Sequence, residues 1–179
     1  MKFFASGLLF DNDGVLVDSH TAAIEAWGQW CREYAPHINW NDPANAGQRA
    51  EDMVRKWISS PELFDEANDR INQLEQDTSG STIAMPGAVE LTTSLKPGCW
   101  TVVTSANPNL GRARLIAAGI PVPAELVTAA DVQRGKPEPA TPARPHKTSP
   151  QQSNACLLRG NDRSPALEVL LRLPRQRQT

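Results

Sequence analysis

An apolar run of strand length, residues 3–10, stops abruptly at the polar sequence Asp11-Asn12-Asp13-Gly14. Aspartate, asparagine and glycine favour turns and do not extend a strand. From Ser19 onward, apolar side chains recur every three or four residues, which is the spacing of one helix face. A buried strand therefore leads into a polar loop and then into a helix, and this order points to a fold that mixes strands with helices.

Residues 19–82 are predicted to be mostly helical. Amphipathic periods cover residues 50–59 and 61–76, and Ser19 or Thr21 is available to cap the first helix. Four of the five tryptophans fall in this part of the chain. Because large aromatic side chains usually pack in cores, we assign them to the core or to a domain interface and not to a sugar platform.

Strand and helix alternate after the break at Pro86-Gly87. Residues 88–95 and 110–118 are predicted helices, the second closed by Gly119, and residues 99–103 are a predicted buried strand rich in β-branched residues. Such alternation favours an α/β fold with a three-layer, Rossmann-like core, in which helices cover both faces of a parallel sheet.

The predicted domains follow from this order. Residues 1–15 and 84–139 form the α/β core, residues 16–83 form a helical insertion after the first strand, and residues 140–179 form a tail rich in proline and basic residues. Residues 145–154 have almost nothing to bury, so no packed structure is expected there.

The charge pattern argues against nucleic acid as a partner. Residues 1–136 hold 11 Lys and Arg against 17 Asp and Glu, whereas residues 137–179 hold 7 against 3 and contain no aromatic residue. Cations spread so thinly, without aromatic side chains between them, make a poor binding patch.

Membrane insertion and disulfide bonding are not indicated either. No apolar run approaches the roughly 20 residues that a spanning helix needs, and Asp11 interrupts the opening run before a signal peptide could be completed. Cys31, Cys99 and Cys156 show no Cys-x-x-Cys spacing. We expect a soluble, cytoplasmic monomer.

Polar residues follow three predicted strands or turns in a suggestive order. Two carboxylates, Asp11 and Asp13, follow the first strand, the hydroxyl pair Thr104-Ser105 follows the second, and Lys136 comes later. In open α/β sheets the active site lies at the carboxyl ends of the strands. One carboxylate could attack a substrate while the other handles protons, and two adjacent anions favour a bound Mg²⁺.

Three segments resemble the first three motifs of the haloacid dehalogenase-like hydrolase superfamily, in the same order and spacing. They are Asp11-Asn-Asp-Gly-Val-Leu-Val-Asp-Ser19, Val102-Val-Thr-Ser105 and Gly135-Lys-Pro-Glu-Pro139. The resemblance covers about residues 7–139. It is strongest to the small sugar-phosphate phosphatases and the β-phosphoglucomutases, whose helical cap lies between the first motif and a Pro-Gly pair.

The resemblance implies a role for each motif residue. Asp11 is expected to be the nucleophile that forms an aspartyl-phosphate, and Asp13 the acid and base. Side chains expected to bind the phosphoryl oxygens are Thr104, Ser105 and Asn107, and Lys136 is expected to neutralise their charge. Mg²⁺ is expected to bridge Asp11, the backbone carbonyl of Asp13 and the phosphate. Gly47-Gln48-Arg49 resembles the cap segment that contacts the sugar, which makes Gln48 and Arg49 candidates for substrate binding.

The fourth motif of the family is hard to find in this sequence. An apolar strand ending in paired acids is expected, yet residues 155–158 make a poor strand and the first acid is missing. Asp162 is the remaining candidate metal ligand, with a surface turn as its alternative. The last strands expected of the family are also missing from the sequence, and a reading-frame shift soon after Pro139 would explain both departures.

These observations predict a Mg²⁺-dependent phosphatase that acts on a small phosphorylated sugar or polyol. A phosphomutase like the β-phosphoglucomutases is one alternative, and an inactive truncated remnant is the other. Each motif residue also has a structural interpretation. Asp11 could simply form a turn, Thr104 and Ser105 could cap the helix near Pro108, and Lys136 could be a solvated surface charge.

Overall fold

The structure, a computed structural model, describes residues 7–132 and the strand at residues 155–158. The elements in chain order are β1 (Gly7–Phe10), β2 (Val17–Asp18), α1 (His20–Tyr34), α2 (Ala50–Trp57), α3 (Pro61–Thr78), β3 (Ile83–Ala84), α4 (Ala88–Ser94), β4 (Trp100–Val103), α5 (Pro108–Ala117), β5 (Leu126–Val127) and β6 (Ala155–Leu158). Single 3₁₀ turns lie at Pro43–Asn45, Ser79–Ser81 and Ala129–Asp131.

Four strands form one parallel sheet in the order β5-β4-β1-β6. The first strand along the chain is therefore central, with Phe10 beside Val102 of β4 on one side and beside Leu158 of β6 on the other. Helices lie between β1 and β4 and between β4 and β5, as is usual for crossovers between parallel strands. The predicted α/β fold with a Rossmann-like parallel sheet is confirmed.

The assignment of residues 155–158 as a poor strand was wrong. These residues form β6, which runs parallel to β1 from Gly7↔Ala155 to Phe10↔Leu158. The sequence Ala-Cys-Leu-Leu has no β-branched residue, so its intrinsic preference for a strand is weak. Pairing with a central strand outweighs that local preference. The rest of the predicted tail, residues 140–154 and 159–179, lies outside the described residues.

Helices α1, α2 and α3 follow β2 and precede β3, as the periodic pattern predicts. Their apolar faces share one core that includes Trp30, Val54 and Ile71, each with 0% of its surface exposed. Four tryptophans meet in this core, and the rings of Trp27 and Trp30 lie 5.5 Å apart at an edge-on angle. The Trp30 indole N–H also donates to the Ala67 carbonyl at 2.8 Å. Trp27 and Trp30 are buried in this core, as predicted, whereas Trp40 and Trp57 pack against it with part of their surface exposed.

A short antiparallel ribbon closes the helical insertion at its base. Val17 of β2 lies opposite Ala84 of β3, so the chain leaves and re-enters the α/β part at neighbouring points. A second core, which contains Phe10, Trp100, Val102 and Leu115, lies under the parallel sheet. The two cores are separate clusters, and the chain passes between them through β2 and β3.

Helix α5 starts two residues earlier than its apolar period predicts. Asn107 occupies the N-cap position and its side chain accepts from the Leu110 N–H at 2.9 Å, while Pro108 begins the first turn. Proline is favoured there because its missing N–H would have no helical partner. Gly119 follows the helix with φ 67°, which confirms its predicted role in ending the helix.

The helical core should carry its own share of the stability. Replacing Ile71 by alanine removes a fully buried side chain and leaves a cavity, so we expect a loss of about 2–5 kcal/mol in the free energy of unfolding. Ile24, which is 47% exposed on α1, is the matched control, and Ile24→Ala should cost less than about 0.5 kcal/mol. Urea denaturation of both variants measures the difference; equal losses would contradict this account of the core.

An ion pair on the surface joins α1 to α3. Arg70 donates from Nε and Nη2 to the two carboxylate oxygens of Glu33, both at 2.8 Å. These hydrogen bonds, with one from Gln29, lower the pKa of the Glu33 carboxyl to about 2. Because the pKa falls on folding, the pair stabilises the protein above the ordinary pKa of glutamate, and this contribution disappears as the pH falls through the lowered value.

We therefore expect Glu33→Gln to lower the free energy of unfolding by less than about 1 kcal/mol near pH 7, since solvent screens the pair. The gap between the wild type and the variant should close between the ordinary pKa of 4.5 and the folded-state value of about 2. Urea denaturation at a series of pH values measures the gap. A gap that stays constant down to pH 2 would be the opposite of the expected result.

Candidate active site

The loop after β1 is built around the backbone carbonyl of Asn12. This oxygen accepts from three successive N–H groups, those of Val15, Leu16 and Val17, at 3.2, 2.9 and 3.1 Å. Gly14 lies inside this turn with φ 77°, a conformation that side-chain-bearing residues rarely adopt. The loop therefore has a fixed shape, and it carries Asp11 and Asp13 on either side of the buried Asn12.

Asp11 and Thr104 emerge at the same edge of the sheet. Asp11 follows Phe10 of β1, and Phe10 lies beside Val102 of the parallel strand β4, two residues before Thr104. Neighbouring strands lie about 4.8 Å apart. Hydrogen bonds with backbone groups fix both positions: the Asp11 side-chain oxygen Oδ1 accepts from the Asn12 N–H at 2.9 Å, and the Thr104 N–H donates to the Val127 carbonyl at 2.8 Å.

Asp13 is held by two side chains. Its Oδ1 atom accepts from the Ser19 hydroxyl at 2.6 Å and from Arg114 Nη1 at 3.0 Å. Ser19 occupies the N-cap position of α1, as predicted, but its side chain makes no capping hydrogen bond because it is used on Asp13. Arg114 also donates from Nη2 to Glu75 Oε1 at 3.2 Å, so this cation lies between two carboxylates.

Ser105 and Asn107 contact the helical insertion. The Ser105 hydroxyl donates to the Gly47 carbonyl at 2.8 Å, and the Asn107 amide donates to Asn72 Oδ1 at 2.9 Å. The helix-capping alternative for Thr104 and Ser105 was wrong, since Asn107 caps α5. Instead, Thr104 Oγ1 accepts from the Ala106 N–H at 3.1 Å, which shapes the loop.

The two cap residues predicted to bind substrate lie near this loop. Arg49 forms an ion pair with Asp52, its Nε donating at 2.8 Å, and it also reaches the Val132 carbonyl from Nη1 at 3.4 Å. Gln48 Nε2 donates to the Ala44 carbonyl at 2.6 Å. Arg49 thus spans from the helical insertion to the segment after β5.

A cavity of about 520 Å³ lies where the helical insertion meets the carboxyl edge of the sheet. Among the predicted site residues, those that line it are Asp13, Gln48, Arg49, Ser105 and Asn107. Asp11 and Thr104, although adjacent in the sheet, are not in its lining within the described part of the chain. The structure thus brings five predicted residues to one cavity and two to the sheet edge beside it.

Lys136 and Asp162 lie outside the described residues, so their positions stay predictions. The strand β6 does end beside β1, because Leu158 is level with Phe10 and both strands run in the same direction. The chain therefore leaves β6 at the edge where Asp11 is located.

The donor set suits a hard cation such as Mg²⁺. Asp11 and Asp13 offer carboxylate oxygens, and Mg²⁺ is commonly held by one or two carboxylates together with water and substrate phosphate. Within residues 7–132, no group of three or more His, Cys, Asp or Glu residues is arranged to enclose a metal. Within residues 7–132, Asp11 and Asp13 are therefore the carboxylates whose chemistry and position fit a Mg²⁺ ion.

Sequence reasoning missed Arg114 and Glu75. Both are charged residues on the buried face of a helix: Arg114 follows Leu110 by four positions, and Glu75 follows Ile71 by four. Burial raises the pKa of the Glu75 carboxyl above its ordinary value, although the charge of Arg114 opposes this rise. A charge inside an apolar stripe was the signal that could have found them.

Comparisons with known proteins agree with the resemblance seen in the motifs. The sequence model of the haloacid dehalogenase-like hydrolases matches residues 5–141. Hexitol phosphatase A of Escherichia coli is 37% identical over an alignment of 137 residues, and the match covers 74% of this chain and 63% of that protein. The 2-deoxyglucose-6-phosphate phosphatase 1 of Saccharomyces cerevisiae is 31% identical over an alignment of 154 residues, and the match covers 77% of this chain and 62% of that protein. The chain belongs to the haloacid dehalogenase-like hydrolase family.

Solved structures give the same result for the fold. A hydrolase from Pseudomonas syringae superposes with a TM-score of 0.62 at 26% identity, covering 76% of this chain and 66% of that one. The chain matches less than two thirds of the length of the two curated phosphatases. In the part of the chain that the structure describes, no helix combines the length and the apolar character needed to cross a membrane.

Asn107 provides a test of how the loop after β4 is fixed. Asn107→Ala removes the cap of α5 and the bond to Asn72, so we expect a loss of about 1 kcal/mol in the free energy of unfolding. Asn107→Asp keeps the capping acceptor and loses only the donated bond, so it should cost less than about half as much. Urea denaturation compares the two variants, and equal losses would show that the cap contributes nothing.

Proposed function

We propose that the protein is a Mg²⁺-dependent phosphatase that hydrolyses a small phosphorylated sugar or polyol. The observation that carries the proposal is the arrangement at one sheet edge. There, Asp11 and Thr104 follow adjacent parallel strands, while Asp13, Ser105 and Asn107 line the neighbouring cavity. Residues suited to act as nucleophile, as acid and base, and as phosphate-binding donors are thus gathered at one edge of the sheet.

Asp11 is the proposed nucleophile. One of its carboxylate oxygens attacks phosphorus, the bond from phosphorus to the sugar oxygen breaks, and an aspartyl-phosphate forms. Asp13 gives its proton to the leaving sugar oxygen. In the second step, Asp13 takes a proton from a water molecule, the oxygen of that water bonds to phosphorus, and the bond to Asp11 breaks to release phosphate.

The loop after β4 supplies the proposed phosphate contacts. Thr104, Ser105 and Asn107 carry hydroxyl and amide groups that can donate to phosphoryl oxygens, which gather negative charge as the bonds change. Lys136 is proposed to neutralise that charge and to hold the Asp11 carboxylate. Ser105 now donates to Gly47 and Asn107 to Asn72, both in the helical insertion. Contact with substrate would replace these hydrogen bonds by bonds to phosphate.

Asp11, the backbone carbonyl of Asp13, and Asp162 are the proposed Mg²⁺ ligands. When bound, Mg²⁺ offsets the negative charge that phosphate and the carboxylates bring together. Asp162 comes four residues after β6, and β6 ends beside β1, which supports its inclusion.

The proposed substrate class follows from the cavity and from the relatives. A volume of about 520 Å³ suits a small molecule, and its lining mixes the amides of Asn68 and Asn72 with the indole rings of Trp27 and Trp40. Two of the relatives are a hexitol phosphatase and a 2-deoxyglucose-6-phosphate phosphatase. The helical insertion acts as the cap in this proposal, with Arg49 and Gln48 as contacts to the sugar. Monomeric state and cytoplasmic location stay predictions.

The test is phosphate release from a panel of sugar and polyol phosphates, with Mg²⁺ and with EDTA. We expect turnover that needs Mg²⁺ and that Asp11→Asn abolishes, whereas Asp13→Asn should lower kcat by about 10²–10⁴-fold. Asp18→Asn is the matched control. Asp18 is an exposed carboxylate close in sequence whose Oδ1 accepts from the His20 N–H at 3.0 Å, and its substitution should leave kcat unchanged.

Two outcomes would contradict the proposal. Undiminished phosphate release by Asp11→Asn would exclude Asp11 as nucleophile. Formation of an isomerised sugar phosphate without net release of phosphate would identify a phosphomutase instead.

A further inference from the structure

Arg114 is a buried cation that links the two parts of the molecule. Its side chain is 7% exposed, and it comes from α5, which covers the parallel sheet. Nη1 donates to Asp13 in the loop after β1, and Nη2 donates to Glu75 on α3 of the helical insertion. Three segments far apart in sequence therefore meet at one guanidinium group.

Burying Arg114 and Glu75 costs free energy unless the two charges stay paired. The side chain of Glu75 is 10% exposed, and removing a carboxylate and a guanidinium from water costs several kcal/mol for each ion. For this reason a buried ion pair contributes little to the free energy of unfolding, and proteins in which apolar residues of similar size replace the pair are often no less stable. The placement of the pair beside a reacting group suggests a different purpose.

The geometry at Asp13 indicates what the purpose is. Arg114 and Ser19 both bind Oδ1, at 3.0 and 2.6 Å. Two donors on one carboxylate oxygen fix the rotation of the carboxyl group and leave Oδ2 to exchange a proton with the substrate oxygen. The Asp13 side chain is 35% exposed and lines the cavity, so that oxygen can be reached.

We propose that Arg114 is a positioning residue for Asp13, and that Glu75 holds the guanidinium in place from the helical insertion. The orientation of the acid and base thus depends on how α3 packs against α5, which couples the substrate-facing part of the protein to its chemistry. This inference rests on the proposed phosphatase function, since it assigns a partner to the acid and base of that reaction.

The kinetic test uses a variant that removes both charges. Arg114→Met alone would leave Glu75 buried and unpaired, which would destabilise the fold, so it is combined with Glu75→Met. With the best substrate of the panel, we expect kcat of the double variant to fall about 10²-fold while KM changes by less than about threefold, as for a misplaced catalytic group. Arg114→Lys, which keeps a cation, should recover part of the loss.

The matched control is the surface ion pair between Arg70 and Glu33. It also joins α3 to another helix and has similar hydrogen bonds, but it lies outside the cavity. Arg70→Met with Glu33→Met should leave kcat within about twofold of the wild type. A double variant at Arg114 and Glu75 that folds and keeps wild-type kcat would overturn the positioning role.

A thermal measurement tests the contact without activity. The Tm losses of Arg114→Met and of Asp13→Ala should not add in the variant that carries both, because the two changes remove the same interaction. Additive losses would overturn the contact on which the inference rests. If the wild type releases no phosphate while the Tm losses of the variants are non-additive, the phosphatase proposal is refuted and the link between Arg114 and Asp13 is retained.

Discussion

The parallel pairing of β1 with β4 determines where the chemistry can take place. Because both strands run in the same direction with Phe10 beside Val102, the residues that follow them emerge together at one edge of the sheet. The pairing of β1 with β6 adds a third strand that ends at the same edge. A central strand bounded by two parallel neighbours therefore gathers side chains from segments that are remote in sequence, which is the general basis of active sites in open α/β sheets.

The helical insertion lies beside this edge, and residues from both parts line the same cavity. Its three helices bury their own tryptophan-rich core, so it can hold a shape of its own beside the sheet. It returns to the α/β part through the ribbon of β2 and β3, next to the loop that carries Asp13. The buried ion pair of Arg114 with Glu75 lies near this junction, and Arg114 also donates to Asp13, so a small shift of α3 would change the position of Asp13.

Much of this arrangement follows from local sequence patterns. The apolar period predicts α1, α2 and α3, and the turn-forming residues after Phe10 predict the end of β1. The strand β6 could not be predicted, because Ala-Cys-Leu-Leu has little strand preference and gains its structure from pairing with β1. The contact of Asp13 with Arg114 could not be predicted from the sequence either, because it forms only when two distant segments pack together. Asn107 followed by Pro108 was a readable cap signal that the apolar period alone overlooks.

If Asp11 is the nucleophile, as proposed, it becomes phosphorylated during turnover. The direct measurement is mass spectrometry of peptides from the Asp13→Asn variant, quenched in acid after mixing with substrate and Mg²⁺, since the loss of the general base should slow hydrolysis of the intermediate. The account predicts one added phosphoryl group on the peptide that contains Asp11, and none when Asp11 is also changed to asparagine. A phosphoryl group on another residue, or phosphate release with no phosphorylated peptide at any time, would contradict it.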